Sequence, residues 1–260
     1  MKSAIPALVV LSGGQDSTTC LFWAKETYDE VHAITFDYGQ SHRIEIEAAR
    51  IVGSMAGVKT HEIVTLPDIL KSTSPLTNKG EGLERYKDHD HMETVIGNRV
   101  EKTFVPLRNT FFLTLAANRA VALGCGTIVT GICQADNANY PDCTNVFRAK
   151  LESAINESLG LSMSDNGALL IAAPLMDYSK SETVHLAESL PGCMEALAFS
   201  HTSYDGKYPP TDMNHSNVLR AKGFEDAGIP DPLVLRAVKE GLMPLPLTAN
   251  YDGEREKHPK

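Results

Sequence analysis

Basic residues are outnumbered in this 260-residue chain: 24 Lys and Arg stand against 33 Asp and Glu, for a net charge of −9. Binding to nucleic acid through counterion release needs clustered cations, so this balance excludes a large nucleic-acid surface and favours a small molecule or a protein as partner. No run approaches the roughly eighteen uninterrupted apolar residues of a membrane span. The first residues also lack a basic segment followed by a long apolar stretch and a small-residue cleavage site. The expectation is a cytoplasmic protein with no membrane association. Cysteine is sparse: Cys20, Cys125, Cys133, Cys143 and Cys193 form no C-x-x-C pair, and their odd number does not suit a disulfide framework. They read as reduced thiols, mostly in the core. Internal repeats and low-complexity stretches are absent.

The chain does contain alternating apolar strands and amphipathic helices. With 42% hydrophobic and 22% charged residues, it is long enough for one large α/β domain with a small appendage. Ala7–Leu11 is an apolar strand, followed by Ser12-Gly13-Gly14-Gln15-Asp16-Ser17 and a helix expected from Ser17 to Ala24, capped by Asp16 or Ser17. A two-glycine turn at a helix N-terminus aims consecutive backbone N–H groups at one point and attracts an anion such as a polyphosphate. The spacing is neither G-x-G-x-x-G nor the P-loop, and no Lys follows the glycines.

Further strands are expected at Val31–Phe36, His61–Thr65, Thr127–Ile132 and Leu169–Pro174. Helix faces are expected at Ile44, Ala48, Ile51, Val52 and Met55, at Phe112 to Leu123, and at Phe147 to Leu159. Strands alternating with helices imply crossovers and a parallel, doubly wound five-stranded α/β sheet. The polar stretch from Lys71 to Thr103 is too long for an ordinary connection and reads as a functional or mobile loop, with His89-Asp90-His91 as part of a solvated stretch. Short helices are expected at Leu219 to Ala227 and Pro232 to Glu240, and a frayed tail after about Asn250. The expected division is an α/β domain over 1–190, a helical subdomain over 191–245 and a tail over 246–260.

The glycine-containing hexapeptide resembles the SGGxDS loop of the PP-loop ATP pyrophosphatases, which have an adenine nucleotide α-hydrolase-like fold and activate a substrate oxygen as an adenylate. Five further blocks follow in order: Phe36-Asp-Tyr-Gly-Gln40 with His42; Val105-Pro106 with Arg108-Asn109; Thr130-Gly-Ile-Cys-Gln-Ala-Asp136; Tyr140-Pro-Asp-Cys143; and Pro174-Leu175 with Lys180 and Glu182. From about residue 5 to residue 240 the chain resembles the QueC family of 7-cyano-7-deazaguanine synthases. That resemblance implies ATP and Mg²⁺ as cofactors and adenylation of the carboxylate of 7-carboxy-7-deazaguanine. Ammonia then gives the amide, and dehydration gives the nitrile of queuosine biosynthesis. It also implies a homodimer. A relative that passes the acyl group to another amine, such as a protein amino group outside transfer-RNA modification, is one alternative. A nucleotide-binding module without catalysis is another.

Roles for residues follow from the resemblance together with their chemistry. Ser12, Gly13, Gly14, Gln15 and Ser17, with Phe36 and Gly131, would hold the nucleotide. Asp16 would bind Mg²⁺ through ATP, with a simple N-cap as its alternative role. Lys180 would face the departing pyrophosphate, unless it is an ordinary solvated lysine. Arg108 would grip phosphate or the substrate carboxylate, its alternative being a surface salt bridge. Asn109, Tyr38, Gln40, His42 and Gln134 complete the expected substrate site. Asp136 or Asp142 would accept hydrogen bonds from a guanine-like ring, and Tyr140 would stack on it or merely pack.

The resemblance also has gaps. Four cysteines that bind structural zinc in the family are replaced by Ser203, Thr211, Asn214 and Asn217, ahead of Leu219-Arg220-Ala-Lys-Gly223-Phe224. Neutral hydroxyls and amides are poor zinc ligands, so no zinc is expected. Thr144-Asn145 stands where the family has Arg-Asp, Leu107 where it has Gly, and Ser41 where a basic residue is usual.

Overall fold

A computed structural model describes residues 2–40, 44–66, 68–78, 80–134, 139–165 and 167–257. Five parallel strands, β1 (Ala7–Val10), β2 (Val31–Asp37), β3 (His61–Thr65), β4 (Thr127–Val129) and β5 (Leu170–Ala172), form one sheet in the order β3-β2-β1-β4-β5. Ala7 pairs with Val31 on one side and Thr127 on the other, so β1 is the central strand and the chain reverses its direction of travel across the sheet there. Ligands of open parallel sheets bind at the carboxyl ends of strands beside such a reversal.

The period-two alternation of β1 builds the two layers. Ala7, Val9 and Leu11 face a core shared with α1 (Gln15–Thr27), α2 (Ile44–Ala56), α6 (Lys180–Ser189) and α7 (Cys193–Leu197). Leu8 faces the opposite core with α4 (Arg108–Leu123) and α5 (Asn145–Ser158). The expected doubly wound α/β sheet is therefore present. All five cysteines are buried free thiols. Among the described residues no helix is long and apolar enough to cross a membrane.

Three local expectations change. First, α1 starts at Gln15 rather than Ser17, and its N-cap is Gly14 with no side-chain cap hydrogen bond; neither Asp16 nor Ser17 caps it. Second, the 71–103 stretch contains α3 (His89–Ile96), whose first turn is capped by the Asp88 side chain accepting from the His91 N–H, so His89-Asp90-His91 opens a helix. Tyr86, Met92 and Ile96 pack on Val218 and Leu219 of α8 (His215–Asp226), which gives this connection an apolar anchor. Third, the tail does not fray at Asn250. A 3-10 turn at Ala249–Tyr251 buries Tyr251, whose hydroxyl accepts the Asp231 N–H at 3.2 Å, and α10 (Asp252–Lys257) follows.

The region after 190 shares the main core, to which it contributes Cys193, Ala196, Leu197 and Phe224. A buried ion pair ties it together. Arg220 Nε donates to Asp231 Oδ2 at 2.6 Å and its Nη2 to Asp231 Oδ1 at 2.8 Å, while Nη1 donates to the hydroxyls of Ser200 and Thr202 at 2.8 and 2.9 Å. A buried pair so fully hydrogen-bonded is costly to break from one side. Asp231 also caps α9 (Pro232–Lys239).

Candidate functional site

The chain leaves β1 through a turn that only glycine permits at position 13. Gly13 has φ 87°, and a Cβ there would lie 2.4 Å from the Glu45 carbonyl oxygen and 2.7 Å from the Ala49 nitrogen. The turn is therefore pressed onto α2. Ser12 and Ser17 brace it from within: their hydroxyl oxygens lie 3.0 Å apart, and the Ser12 N–H donates to Ser17 Oγ at 3.2 Å. The His201 N–H donates to the Gly13 carbonyl at 2.8 Å, so the post-190 region holds the turn from outside.

With no side-chain cap, the first-turn amides of α1 and its positive dipole end remain available to an anion. Gln15 is buried, and its Nε2 has no hydrogen-bond partner among the described residues. An unsatisfied buried donor is costly unless a ligand completes it. The set fits a polyphosphate.

Asp16 and Lys180 meet beside this turn. Lys180 Nζ lies 2.8 and 2.7 Å from the two carboxylate oxygens of Asp16. A capping box places the lysine: Ser179 Oγ accepts the Glu182 N–H at 3.3 Å, and Glu182 Oε2 accepts the Ser179 N–H at 2.8 Å. Hydrogen bonds from the Ser179 N–H and hydroxyl, each at 2.8 Å, hold the Glu182 carboxyl below its usual range. On its other side, Lys180 is packed against Gly223 of α8, where a Cβ would come within 2.7 Å of Lys180 Cβ. Gly131, just past β4, is equally close to α1, with its missing Cβ 3.0 Å from the Ser17 nitrogen.

The turn and the Asp16–Lys180 pair open into a cavity of about 310 Å³. A second set of side chains gathers around Arg108, the first residue of α4 and a lining residue with Tyr38, Glu45, Phe112, Tyr140 and Tyr204. Burial works against the Arg108 charge, but the phenol oxygens of Tyr38, Tyr204 and Tyr140, with a hydrogen bond to Tyr38, outweigh it and hold the guanidinium charged. Burial pushes the Glu45 carboxyl up to about 7, against the opposing pull of Arg108. Phe36 stacks on Phe112 with ring centroids 4.4 Å apart, and Tyr38 leans on the same ring at 5.2 Å. The Tyr140 hydroxyl lies 2.5 Å from Thr103 Oγ1 and 3.2 Å from the buried Glu101 carboxylate, so its ring is fixed in place. Burial raises the Tyr140 and Tyr204 phenols and lowers the His215 imidazole.

Most residues expected at the site therefore come together: Ser12, Gly14, Gln15, Asp16, Ser17, Phe36, Tyr38, Gln40, Arg108, Asn109, Gly131, Tyr140 and Lys180 all line the cavity. Gly13 supports the turn from behind. Asn109 lines the cavity and also ties down the 3-10 turn at Pro141–Cys143, since its Nδ2 donates to the Asp142 carbonyl at 3.1 Å. Asp142 does not line the cavity; its Oδ2 accepts the Asn109 N–H at 3.3 Å, and burial raises its carboxyl. Gln134 turns outward, and its Oε1 accepts the Asn145 N–H at 3.0 Å. His42 and Asp136 lie outside the described residues. Sequence reasoning missed Glu45, whose signal was its place in the first turn of α2 just after the Phe36–Gln40 block. It also missed Thr202, Tyr204 and His215, which reach the cavity from a region read as an appendage.

The positions expected to have lost zinc ligands form a hydrogen-bonded cluster. Ser203 Oγ accepts from Asn217 Nδ2 at 2.7 Å and Asn214 Nδ2 at 3.2 Å, and donates to Asp205 at 2.5 Å. Asn217 Nδ2 also donates to the Asp212 carbonyl at 2.8 Å, while Thr211 is exposed. The Asn217 Oδ1 is buried without a hydrogen-bond partner among the described residues, but these neutral hydroxyls and amides offer no thiolate or imidazole and do not fit a zinc ion. Among the described residues no other group of His, Cys, Asp or Glu suits a metal.

The family profile described as queuosine biosynthesis protein QueC matches residues 6–228. A 7-cyano-7-deazaguanine synthase of Gloeobacter violaceus is 47% identical over 229 residues, covering 87% of this chain and 94% of that protein. The synthase of Laribacter hongkongensis is 49% identical over 232 residues, covering 88% and 94%. That of Chromobacterium violaceum is 44% identical over 237 residues, covering 90% and 95%.

Proposed function

The chain belongs to the QueC family, and from that membership we propose that it is a 7-cyano-7-deazaguanine synthase acting on 7-carboxy-7-deazaguanine, ATP and ammonia. ATP supplies the adenylyl group that makes a carboxylate oxygen a good leaving group, so that ammonia gives the amide and a second activation removes the amide oxygen to leave the nitrile. The open amides of α1, the hydroxyls of Ser12 and Ser17 and the unpartnered Gln15 Nε2 would receive the phosphate oxygens. Asp16 offers hard oxygen ligands suited to Mg²⁺ beside those phosphates. Lys180 would stabilise the charge that develops on pyrophosphate as it leaves, and Arg108 would clamp the substrate carboxylate for in-line attack.

No thiol is needed. Burial pushes Cys143 and Cys193 up to about 12, leaving almost no thiolate at neutral pH.

One observation carries the reading most directly. Asp16 and Lys180, 164 residues apart, meet at 2.7 Å beside an uncapped helix N-terminus in a family that makes this nitrile. The test is to incubate the protein with ATP, Mg²⁺, 7-carboxy-7-deazaguanine and ammonium and to follow products by mass spectrometry. Amide and then nitrile should accumulate, with neither formed by Asp16→Ala. Absence of substrate-dependent pyrophosphate release from the wild type would refute the proposal.

A further inference from the structure

We propose that Glu45 is the specificity-determining residue for the substrate's aminopyrimidinone edge, accepting its ring N–H and exocyclic amino group while a further N–H of Arg108 donates to the ring carbonyl that adjoins the carboxylate it clamps. The assignment rests on the synthase reading above. Among the described residues that line the cavity, only Asp16 and Glu45 carry carboxylates. Asp16 sits at the phosphate turn, paired with Lys180 at 2.8 and 2.7 Å, and is the carboxylate given to Mg²⁺ in that reading. Asp142 is turned onto the Asn109 N–H outside the lining. Among the described residues Glu45 is thus the available acidic acceptor for a ligand in this space.

Its setting is rigid and electrostatically matched to such an edge. The Glu45 backbone is fixed because its carbonyl packs against the Gly13 turn, in the first turn of α2. The Arg108 charge pulls on the Glu45 carboxyl, and both residues line the cavity together with Tyr38 and Tyr204. A 2-amino-4-oxopyrimidine presents an acceptor and two donors in a row. A guanidinium beside a carboxylate presents a donor and two acceptors, the complementary order. The edge of adenine presents a donor next to an acceptor and has no second donor, so the same pair disfavours ATP occupying this position. Without ligand, desolvation pushes this half-buried carboxyl up to about 7; two ligand N–H groups would supply hydrogen bonds that its ionised form does not receive from the described residues.

The experiment measures kcat/KM for 7-carboxy-7-deazaguanine and for its 2-deamino analogue in wild type and Glu45→Gln. ATP affinity by calorimetry and a thermal melt are recorded for each protein. The wild type should prefer the amino substrate by about 10–100-fold, the worth of a hydrogen bond to a charged acceptor. In Glu45→Gln the preference should shrink at least about tenfold, because the glutamine amide turns a donor toward the substrate's amino group, while the ATP dissociation constant stays within about threefold. A variant that loses turnover but keeps the full preference overturns the assignment and leaves the synthase reading standing. A wild type inert toward both substrates overturns both.

Discussion

A methyl group placed on Gly223 would lie 2.7 Å from Lys180 Cβ and 3.2 Å from the Lys180 carbonyl carbon, both on the helix that presents the lysine to Asp16. Packed carbons sit about 3.5–4.0 Å apart, so Gly223→Ala must part α6 and α8 by roughly 1 Å. Overpacking of this kind costs about 1–3 kcal/mol, and a chain of this size loses about 2–4 °C in Tm per kcal/mol. A displacement of about 1 Å in a catalytic group costs up to about 100-fold in rate. We therefore expect kcat for pyrophosphate release to fall about 10–100-fold while ATP affinity changes by less than about threefold. Lys180→Met alone should lower kcat about 100–1000-fold, with a stability loss of about 1 kcal/mol or less, because Asp16 is partly exposed. The decisive protein is the double variant. If Gly223→Ala acts by moving the lysine, it should slow Lys180→Met by less than about twofold. An equal slowing in both backgrounds, or a fall in Tm with kcat intact, would refute the reasoning.

The Glu45 carboxyl, raised from 4.5 to about 7, keeps a proton in the folded protein that the unfolded chain has already released. Stability is therefore lost as pH rises through that window, and the advantage of Glu45→Gln over wild type in urea melts should grow from near zero at pH 4.5 to roughly 3 kcal/mol above pH 7. A pH-independent difference would contradict this. Gly13→Ala, which forces a Cβ to 2.4 Å from the Glu45 carbonyl at φ 87°, should abolish detectable nucleotide binding by calorimetry; retained affinity would sink the cradle assignment. Zinc chelators should leave the Tm within about 1 °C, whereas Asn217→Ala, which strips hydrogen bonds of 2.7 and 2.8 Å from the Ser203 cluster, should cost about 1–3 kcal/mol in a urea melt.

Local patterns carried the sheet. The apolar strand at Ala7–Leu11, the period of α2 and the glycine turn are written in adjacent residues, and their physical consequences are short-range. Lys180 was also legible, because its place after Pro174 follows a spacing along the chain. Glu45 was not: it lies among polar residues at a helix start, where a solvated carboxylate is the ordinary case. It lines the cavity from the first turn of α2, which packs on the Gly13 turn from another part of the chain. Gln134 and Asp142 lie off the cavity lining for a similar reason. Both follow β4 where ligands bind, but their side chains are used to cap α5 and to hold Asn109. Leu107, where the resemblance implies Gly, takes φ 62° and is 69% exposed.

The region after 190 was read as an appendage because its apolar spacing is weak and its zinc cysteines are gone. Its contacts argue that the site depends on it. His201 donates its N–H to the Gly13 carbonyl, Gly223 lets α8 approach Lys180, and Thr202, Tyr204 and His215 line the same cavity as Asp16. The phosphate turn and the lysine are thus held by residues as distant in sequence as 13 and 223. A metal would stabilise this region by its own binding energy. Here the same work falls to the Arg220–Asp231 pair, the Ser203 cluster and the burial of Leu197 and Phe224 against α1 and α6. Arg220 joins the two tasks, since it lines the cavity and also binds the hydroxyls of Ser200 and Thr202. Contacts that hold the carboxyl-terminal region together therefore also shape the cavity, so a substitution that loosens Arg220 or Asp231 should weaken nucleotide binding together with stability.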